Sequence, residues 1–252
     1  MMLHPGTIAA DNPEKIAYTM AERGEVVTYG ELEATSNQGA QLFRALGLKR
    51  GDHIALLLEN HPRFFQICWA AQRSGLYYTA ISWRLQPAEV EYIVNNCEAK
   101  VFITSAARRE VVAPLLGKMP AVEKCFVIDG EIPGFDDWSD ALAAMPTHPI
   151  EDEWEGQSML YSSGTTGYPK GVKKALPEAR FGEAAQVNLL GALYGATQDS
   201  IYLSPAPLYH AAPLGFTMTC LRQGVEVVVM EHFDAESALR CIEKYRVTHS
   251  QW

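Results

Sequence analysis

The stretch His53–Ile81, HIALLLENHPRFFQICWAAQRSGLYYTAI, decides the fold class. Its opening run, His53 to Leu58, is short and almost wholly apolar, the signature of a strand buried on both faces. Pro62 suits the first turn of a helix, where its missing N–H costs nothing. Phe65, Cys68, Trp69 and Gln72 lie along that helix, and Gly75 ends it. Leu76 to Ile81 then reads as a second buried strand. Strand, helix and strand in immediate succession point to an α/β sheet with mostly parallel strands.

The same alternation extends outward in both directions. Upstream, Thr28-Tyr29-Gly30-Glu31 is a capping box, and Leu32, Leu42, Phe43 and Leu46 follow at roughly helical spacing until Gly47. Downstream, Pro87 opens a helix that ends near Asn96, and Val101–Ile103 and Lys124–Ile128 read as strands. From Asp129 to Glu155 the chain reads as a loose surface connection, with Pro133, Gly134, Pro146, Pro149 and one short helix near Asp140–Ala144. Its acidic end, Glu151, Asp152, Glu153 and Glu155, reads as a solvated face. A strand is expected at Gln157–Tyr161, a helix over about Glu178–Tyr194, and strands at Ile201–Leu203 and Val225–Met230. Asp234 caps a helix carrying Ala238, Leu239 and Ile242, and Val247–Trp252 opens a further strand. The expected class is α/β, with mostly parallel sheets and helices on both faces.

Composition narrows the function classes. Of 252 residues, 48% are hydrophobic, enough for a sizeable core and too many for a disordered chain. Lysine and arginine number 21 against 30 aspartates and glutamates, a net charge of −9, which argues against a general nucleic-acid binder. No uninterrupted apolar run exceeds five residues, so no membrane-spanning helix is expected. The N-terminus lacks the charged start and apolar stretch of a secretory signal. The five cysteines form no CxxC pair, and Cys68, Cys125 and Cys220 sit in apolar company, which suits reduced core residues and a cytoplasmic location. The seven histidines show no metal-ligand spacing, so no metal-ligating residue is assigned.

The densest chemistry lies at Tyr161-Ser162-Ser163-Gly164-Thr165-Thr166-Gly167-Tyr168-Pro169-Lys170-Gly171, directly after an expected strand. Glycines let backbone amides approach a ligand, and clustered amides with hydroxyls make an anion cradle. Lys170 adds a cation for phosphate oxygens, and Lys173 and Lys174 extend the basic patch. By composition alone the stretch could equally be a flexible surface turn. It matches neither the Walker A loop nor GxGxxG.

As a string it is far more specific. An aromatic residue, Ser or Thr, and then SGTTGxPKG resembles the phosphate loop of the adenylate-forming superfamily, which includes acyl-CoA synthetases, peptide-synthetase adenylation domains and luciferases. Val27-Thr28-Tyr29-Gly30-Glu31-Leu32, Gly51-Asp52-His53-Ile54-Ala55, Asn60 and Pro207-Leu208-Tyr209-His210 resemble further stretches of that family, so the likeness runs from about Pro13 to Trp252. Within it, the loop and the early helices look more like AMP-forming acyl-CoA synthetases. The resemblance implies a two-step reaction. A carboxylate attacks the α-phosphate of ATP with Mg²⁺ to give an acyl-adenylate and pyrophosphate, and coenzyme A thiolate then displaces AMP. It implies that Ser162, Ser163, Gly164, Thr165, Thr166, Gly167 and Lys170 grip the β- and γ-phosphates, with Lys170 also counted as catalytic.

His210 is the second catalytic candidate. A lone histidine at a strand-to-helix corner is ordinarily satisfied by neighbouring backbone. Its place in the PLYH string implies instead a position beside the acyl carboxylate and the α-phosphate. Leu214 stands where some long-chain members carry a gating tryptophan, which argues against a tunnel gated in that way. Ala211–Met218 could line an acyl or ring pocket, although an apolar helix is more often plain core. Trp69, Trp83 and Trp138 read as packing residues and Arg84 as structural support.

The family's adenine-stacking and Mg²⁺-carboxylate segment, its ribose aspartate and its C-terminal lid with the catalytic lysine are not found in these residues. The resemblance therefore implies that residues 1–252 are an incomplete N-terminal AMP-binding domain without the lid, inactive alone. The alternative is a non-catalytic module that binds phosphate or a partner. A peptide-synthetase adenylation domain would need a downstream carrier. Fatty, aryl and sterol side-chain acids all remain open as the carboxylic acid substrate. The strand at Val247–Trp252 would offer an unpaired edge and favour self-association, a homodimer included.

Overall fold

The computed structural model describes residues 4–162, 169–183 and 193–252. The chain divides into two compact units. One comprises residues 1–36, 60–66 and 182–252, and the other residues 37–59 and 67–181.

The first unit is built on a five-stranded sheet, ordered His249–Ser250, Ile201–Ser204, Glu226–Val229, Ile16–Met20 and Val26–Thr28. All pairs are parallel except the last, where Val26–Thr28 returns antiparallel to Ile16–Met20. The strand expected at Val247–Trp252 is thus paired, through His249 and Ser250, with Tyr202 and Leu203. The capping box before Tyr29–Ala45 forms as the sequence requires: Glu31 N donates to Thr28 Oγ1 (3.2 Å) and Thr28 N to Glu31 Oε2 (2.8 Å). Asp234 caps helix Ala235–Tyr245 by accepting from Ser237 N at 2.8 Å. That helix buries Ala238 and Cys241, whereas Leu239, which it also carries, is 67% exposed. Ala238 and Leu239 are adjacent and so point about 100° apart, and only one of them can face the sheet.

The second unit holds a six-stranded sheet in which every pair is parallel. Its order is Asp136–Asp137, Lys124–Ile128, Ala99–Ser105, His53–Leu57, Tyr77–Ala80 and Gln157–Ser158. The apolar run from His53 is buried on both faces, as its composition demands. Helix Arg63–Arg73 carries Trp69, fully buried, and Ala70, whose methyl would lie 2.6 Å from any Cβ placed at Gly39. Only glycine at residue 39 allows helix Tyr29–Ala45 that approach. Helix Pro87–Asn96 keeps the bounds expected of it, with Gln86 N donating to Glu89 Oε2.

Four readings need correction, the last of them in part. The connection from Asp129 to Glu155 is no loose surface strap: Ile132, Trp138, Leu142 and Ile150 are buried, and helix Trp138–Ala143 is capped by Asp137. Trp138 packs edge-on to Phe126 and beside Phe43. Glu155 does not lie on a solvated face; it is 1% exposed, with Gln72 Nε2 donating to its carboxylate at 2.7 Å. The strand expected at Gln157–Tyr161 breaks into Gln157–Ser158, the sheet edge, and Leu160–Ser162. Of the helix expected at Glu178–Tyr194, residues 178–183 are bend, bridge and turn, residues 184–192 lie outside the described residues, and Leu193 and Tyr194 are helical, as expected of its end.

Candidate functional site

Leu160–Ser162 pairs antiparallel with Lys170–Val172, with Lys170 opposite Ser162. Ser163, Gly164, Thr165, Thr166 and Gly167 lie outside the described residues. The glycine-rich string is therefore bracketed by a hairpin whose two ends, Ser162 and Lys170, stand side by side. Ser162 Oγ donates to Lys170 O at 3.4 Å, and both residues are exposed. Lys170 to Gly171, expected as loop, is strand. The hairpin grows from the sheet edge, where Met159 N donates to Tyr78 O at 3.0 Å and continues the pairing of Gln157–Ser158. Gly171 leaves room there for the Met159 methyl group, which a Cβ would meet at 2.6 Å and push aside.

The basic patch is smaller than the sequence implies. Lys173 points its ammonium at His53 Nε2 (3.0 Å) and sits 4.6 Å from the centre of the Tyr77 ring. His53 stacks on Tyr77 at 4.6 Å, and Tyr77 Oη donates to Lys174 O at 2.8 Å. Burial holds the His53 imidazole well down, at about 4, with the Lys173 charge acting the same way and Asp52 opposing. His53 is therefore a neutral acceptor for Lys173, and these two side chains anchor the strand that follows the string. The next residues are pinned in turn: the guanidiniums of Arg50 (4.7 Å) and Arg180 (4.3 Å) both lie over the Trp154 ring, and Arg50 donates to Pro177 O. Among the described residues of this patch, the ammoniums of Lys170 and Lys174 make no hydrogen bond or ion pair, and Lys170 is the one that stands at the end of the string. Hydroxyl and ammonium donors suit phosphate oxygens; no group of three metal-ligating side chains occurs among the described residues.

The six-stranded sheet also has a topological switch point. From His53–Leu57 the chain passes to Tyr77–Ala80 on one side and then to Ala99–Ser105 on the other. At the carboxyl ends of His53–Leu57 and Ala99–Ser105, Ser105 Oγ donates to Glu59 at 2.9 Å, and Arg108 lies 3.6 Å from the same carboxylate. Arg108 and Arg84 both approach the Trp83 ring. Glu59, Ser105 and Arg108 carry no motif of their own; the signal for them in the sequence is their position just after buried apolar runs.

His210 belongs to the first unit. It is the N-cap of helix Ala211–Gln223, extended at φ −81° and ψ 147°, exposed, with its ring 4.3 Å from that of Tyr209. Its side chain makes no capping bond to the helix. The turn before it is held by Asn60, which bonds to Ala206, Leu208 and Met230. The helix buries Pro213, Leu214, Thr217 and Met218 and ends at Gly224 in the left-handed region. Phe216 turns the other way, stacks on Tyr202 at 6.4 Å, and with Tyr194, Cys220 and Val225 lines a cavity of about 410 Å³. Ala211–Met218 is thus core on one side and cavity wall on the other. No helix among the described residues is long and apolar enough to cross a membrane.

A protein-family profile described as "AMP-binding enzyme" matches residues 7–251. The chain is 32% identical over 235 residues to 4-coumarate–CoA ligase CCL1 of Humulus lupulus, covering 89% of this chain and 42% of that protein. It is 28% identical to long-chain-fatty-acid–CoA ligase FadD13 of Mycobacterium tuberculosis, covering 95% and 46%, and 29% identical to crotonobetaine/carnitine–CoA ligase of Proteus sp., covering 88% and 44%. The chain therefore spans less than half the length of these curated relatives. In fold it superposes on a long-chain-fatty-acid-CoA ligase (FadD1) of Archaeoglobus fulgidus with a TM-score of 0.81 at 24% identity, over 99% of this chain and 51% of that one. The N-terminal domain of FACL13 of Mycobacterium tuberculosis gives 0.79 at 24% identity, over 99% and 62%. The chain belongs to the AMP-binding enzyme family.

Proposed function

We propose that this member of the AMP-binding enzyme family carries the phosphate-gripping half of an AMP-forming acyl-CoA ligase, with residues 1–252 forming part of the N-terminal domain. The carrying observation is the hairpin that sets Ser162 and Lys170 side by side at the two ends of the SGTTG string. A carboxylate oxygen attacks the α-phosphorus of ATP, the bond to the bridging oxygen breaks, and pyrophosphate leaves. Ser162, Ser163, Gly164, Thr165, Thr166, Gly167 and Lys170 hold the departing phosphates, where charge develops and fixed donors stabilise it most. His210, exposed at the start of its helix, meets the acid and the α-phosphate. The thiolate of coenzyme A then displaces AMP. Mg²⁺, when bound, would neutralise phosphate charge; no group of three metal-ligating side chains occurs among the described residues, and such an ion is commonly held by one carboxylate together with the phosphates themselves. The acid is of the fatty, aryl or sterol side-chain class, the first two in keeping with the acids that relatives' names carry. The protein works in the cytoplasm, with its five cysteines unpaired, and self-associates as a homodimer.

The test is exchange of labelled pyrophosphate into ATP, run over a panel of carboxylic acids in the ligase that carries this chain. Lys170→Ala should lower kcat/KM for ATP by about 10- to 100-fold, the loss of one charge-assisted contact. The 252 residues alone should give no exchange, because the adenine platform and lid lysine are not among them. Exchange by the 252 residues that Lys170→Ala abolishes would overturn that division of labour. Exchange by the ligase that Lys170→Ala leaves intact would overturn the phosphate assignment.

A further inference from the structure

We propose that Asn60 is a positioning residue that sets His210 through the turn preceding it; its consequence for turnover rests on the ligase reading above. Asn60 follows directly on the first buried strand of the other unit, yet its side chain serves the first. It is 4% exposed and makes three hydrogen bonds. Nδ2 donates to Met230 O at 2.7 Å and to Ala206 O at 3.2 Å, and Oδ1 accepts from Leu208 N at 2.8 Å. Both amide hydrogens and the carbonyl oxygen are used, so the orientation of the amide is set by its partners.

Those partners are the groups that the fold leaves over. Strands Ile201–Ser204 and Glu226–Val229 pair in parallel as far as Ser204 and Val229, and Met230 N closes the ladder on Ser204 O at 3.0 Å. Beyond that point the chain turns through Pro205 and Pro207 into the helix, and prolines have no N–H to offer. The backbone bond at the end of this turn is His210 N to Pro207 O, at 3.2 Å. Ala206 O and Leu208 N have no ladder partner, and Leu208 is fully buried, so water cannot serve it. Asn60 supplies both. Its bonds flank Pro207 and end two residues before His210. Asn60 is itself held from below. Tyr18, fully buried on the neighbouring strand, donates its hydroxyl to Pro62 O at 2.6 Å and packs edge-on to Phe65 at 5.1 Å. The line of support runs from Tyr18 to Pro62, to Asn60, to the turn, and to His210. A backbone held at two points cannot swing the helix N-cap, and an N-cap histidine is aimed by its backbone.

Asn60→Ala and Asn60→Asp test this. Asn60→Asp keeps the acceptor for Leu208 N but, when ionised, turns an oxygen on Ala206 O and Met230 O. In the 252-residue chain, the Leu208 amide should exchange with solvent about tenfold faster in Asn60→Ala, with Val227 and Val228 unchanged, since a local opening is being eased. Protection at Leu208 equal to the parent would overturn the assignment. In the ligase, pyrophosphate exchange should fall about 10- to 100-fold in kcat with KM for ATP within about twofold of the parent. In a His210→Ala background, Asn60→Ala should cost little more, because a residue acting through His210 has nothing left to act on. Losses that multiply in the double variant would make Asn60 a general structural residue and refute the proposal. If Asn60→Ala does not fold, Tyr18→Phe, which removes one bond further back, should show the same non-additivity at smaller size. A parent ligase without pyrophosphate exchange refutes the ligase reading alone, and the exchange rate at Leu208 still decides the role of Asn60.

Discussion

Gly156 sits at the root of the hairpin, and adding one methyl group there should disturb the whole unit. A Cβ at residue 156 would lie 2.5 Å from Leu76 O, 2.8 Å from Ala71 O and 3.0 Å from Gln72 Cα. All three are backbone atoms, so no side chain can swing aside. To bring the worst contact to between 3.0 and 3.4 Å, residue 156 must move by about 0.5–0.9 Å. It is held by Gly156 N to Gln72 O (2.6 Å) and by Gln72 Nε2 to Gly156 O (2.8 Å), and such a shift stretches one of them to its limit. Overpacking costs about 1–3 kcal/mol, and a weakened hydrogen bond adds about 1 kcal/mol, so Gly156→Ala should destabilise by about 3 kcal/mol. The control is Gly47→Ala in the same unit. Gly47 has φ +81° and nothing within 4 Å of its would-be Cβ, so only the backbone conformation resists, at about 1–2 kcal/mol. Urea unfolding followed by tryptophan fluorescence and circular dichroism gives both numbers. Gly156→Ala within about 0.5 kcal/mol of the parent, or milder than Gly47→Ala, would refute the reasoning.

Further outcomes are open to measurement. His210→Ala should leave stability within about 0.5 kcal/mol of the parent, because the side chain is exposed and does not cap its helix, while adenylate formation falls; a collapse in Tm with normal specific activity would return His210 to a structural role. His53 binds its proton at about 4 when folded and near its ordinary 6.5 when unfolded, so the unfolded chain takes up the proton first. Its contribution is therefore full above about pH 6.5 and lost as pH falls toward 4, about 2 kcal/mol after solvent screening; His53→Gln should flatten that part of the stability–pH curve, and an unchanged slope would count against the neutral imidazole. Tyr77→Phe keeps the ring under Lys173 but loses the bond to Lys174 O, and should cost about 1 kcal/mol with faster amide exchange at residues 172–174. Trp138→Ala should cost about 3–5 kcal/mol, since the indole is fully buried against Phe43 and Phe126; a cost near zero would restore the surface-strap reading of residues 129–155.

What was legible from the residues alone is what local interactions decide. The Thr28–Glu31 box, Pro87 at its helix start and Asp234 at its cap act within three or four positions, and each formed where the sequence placed it. The apolar runs at His53, Lys124 and Glu226 are strands because burial on both faces leaves no polar alternative. The SGTTG string and Lys170 stood out because phosphate chemistry needs those residue types close together in sequence. The remainder depended on distant partners. Glu155 reads as solvated among its acidic neighbours, and is buried because Gln72, 83 positions earlier, donates to it. Lys173 reads as one more phosphate cation, and is taken by His53 and Tyr77 from two central strands. Asn60 reads as the residue before a helix, and serves backbone groups 146 to 170 positions later. Strand order, the switch point beside Glu59 and Ser105, and the pairing of Ser162 with Lys170 share this origin. Hydrogen bonds between residues far apart in the chain leave no periodicity to read, because the entropy of closing those loops is met by the whole fold and not by any one segment.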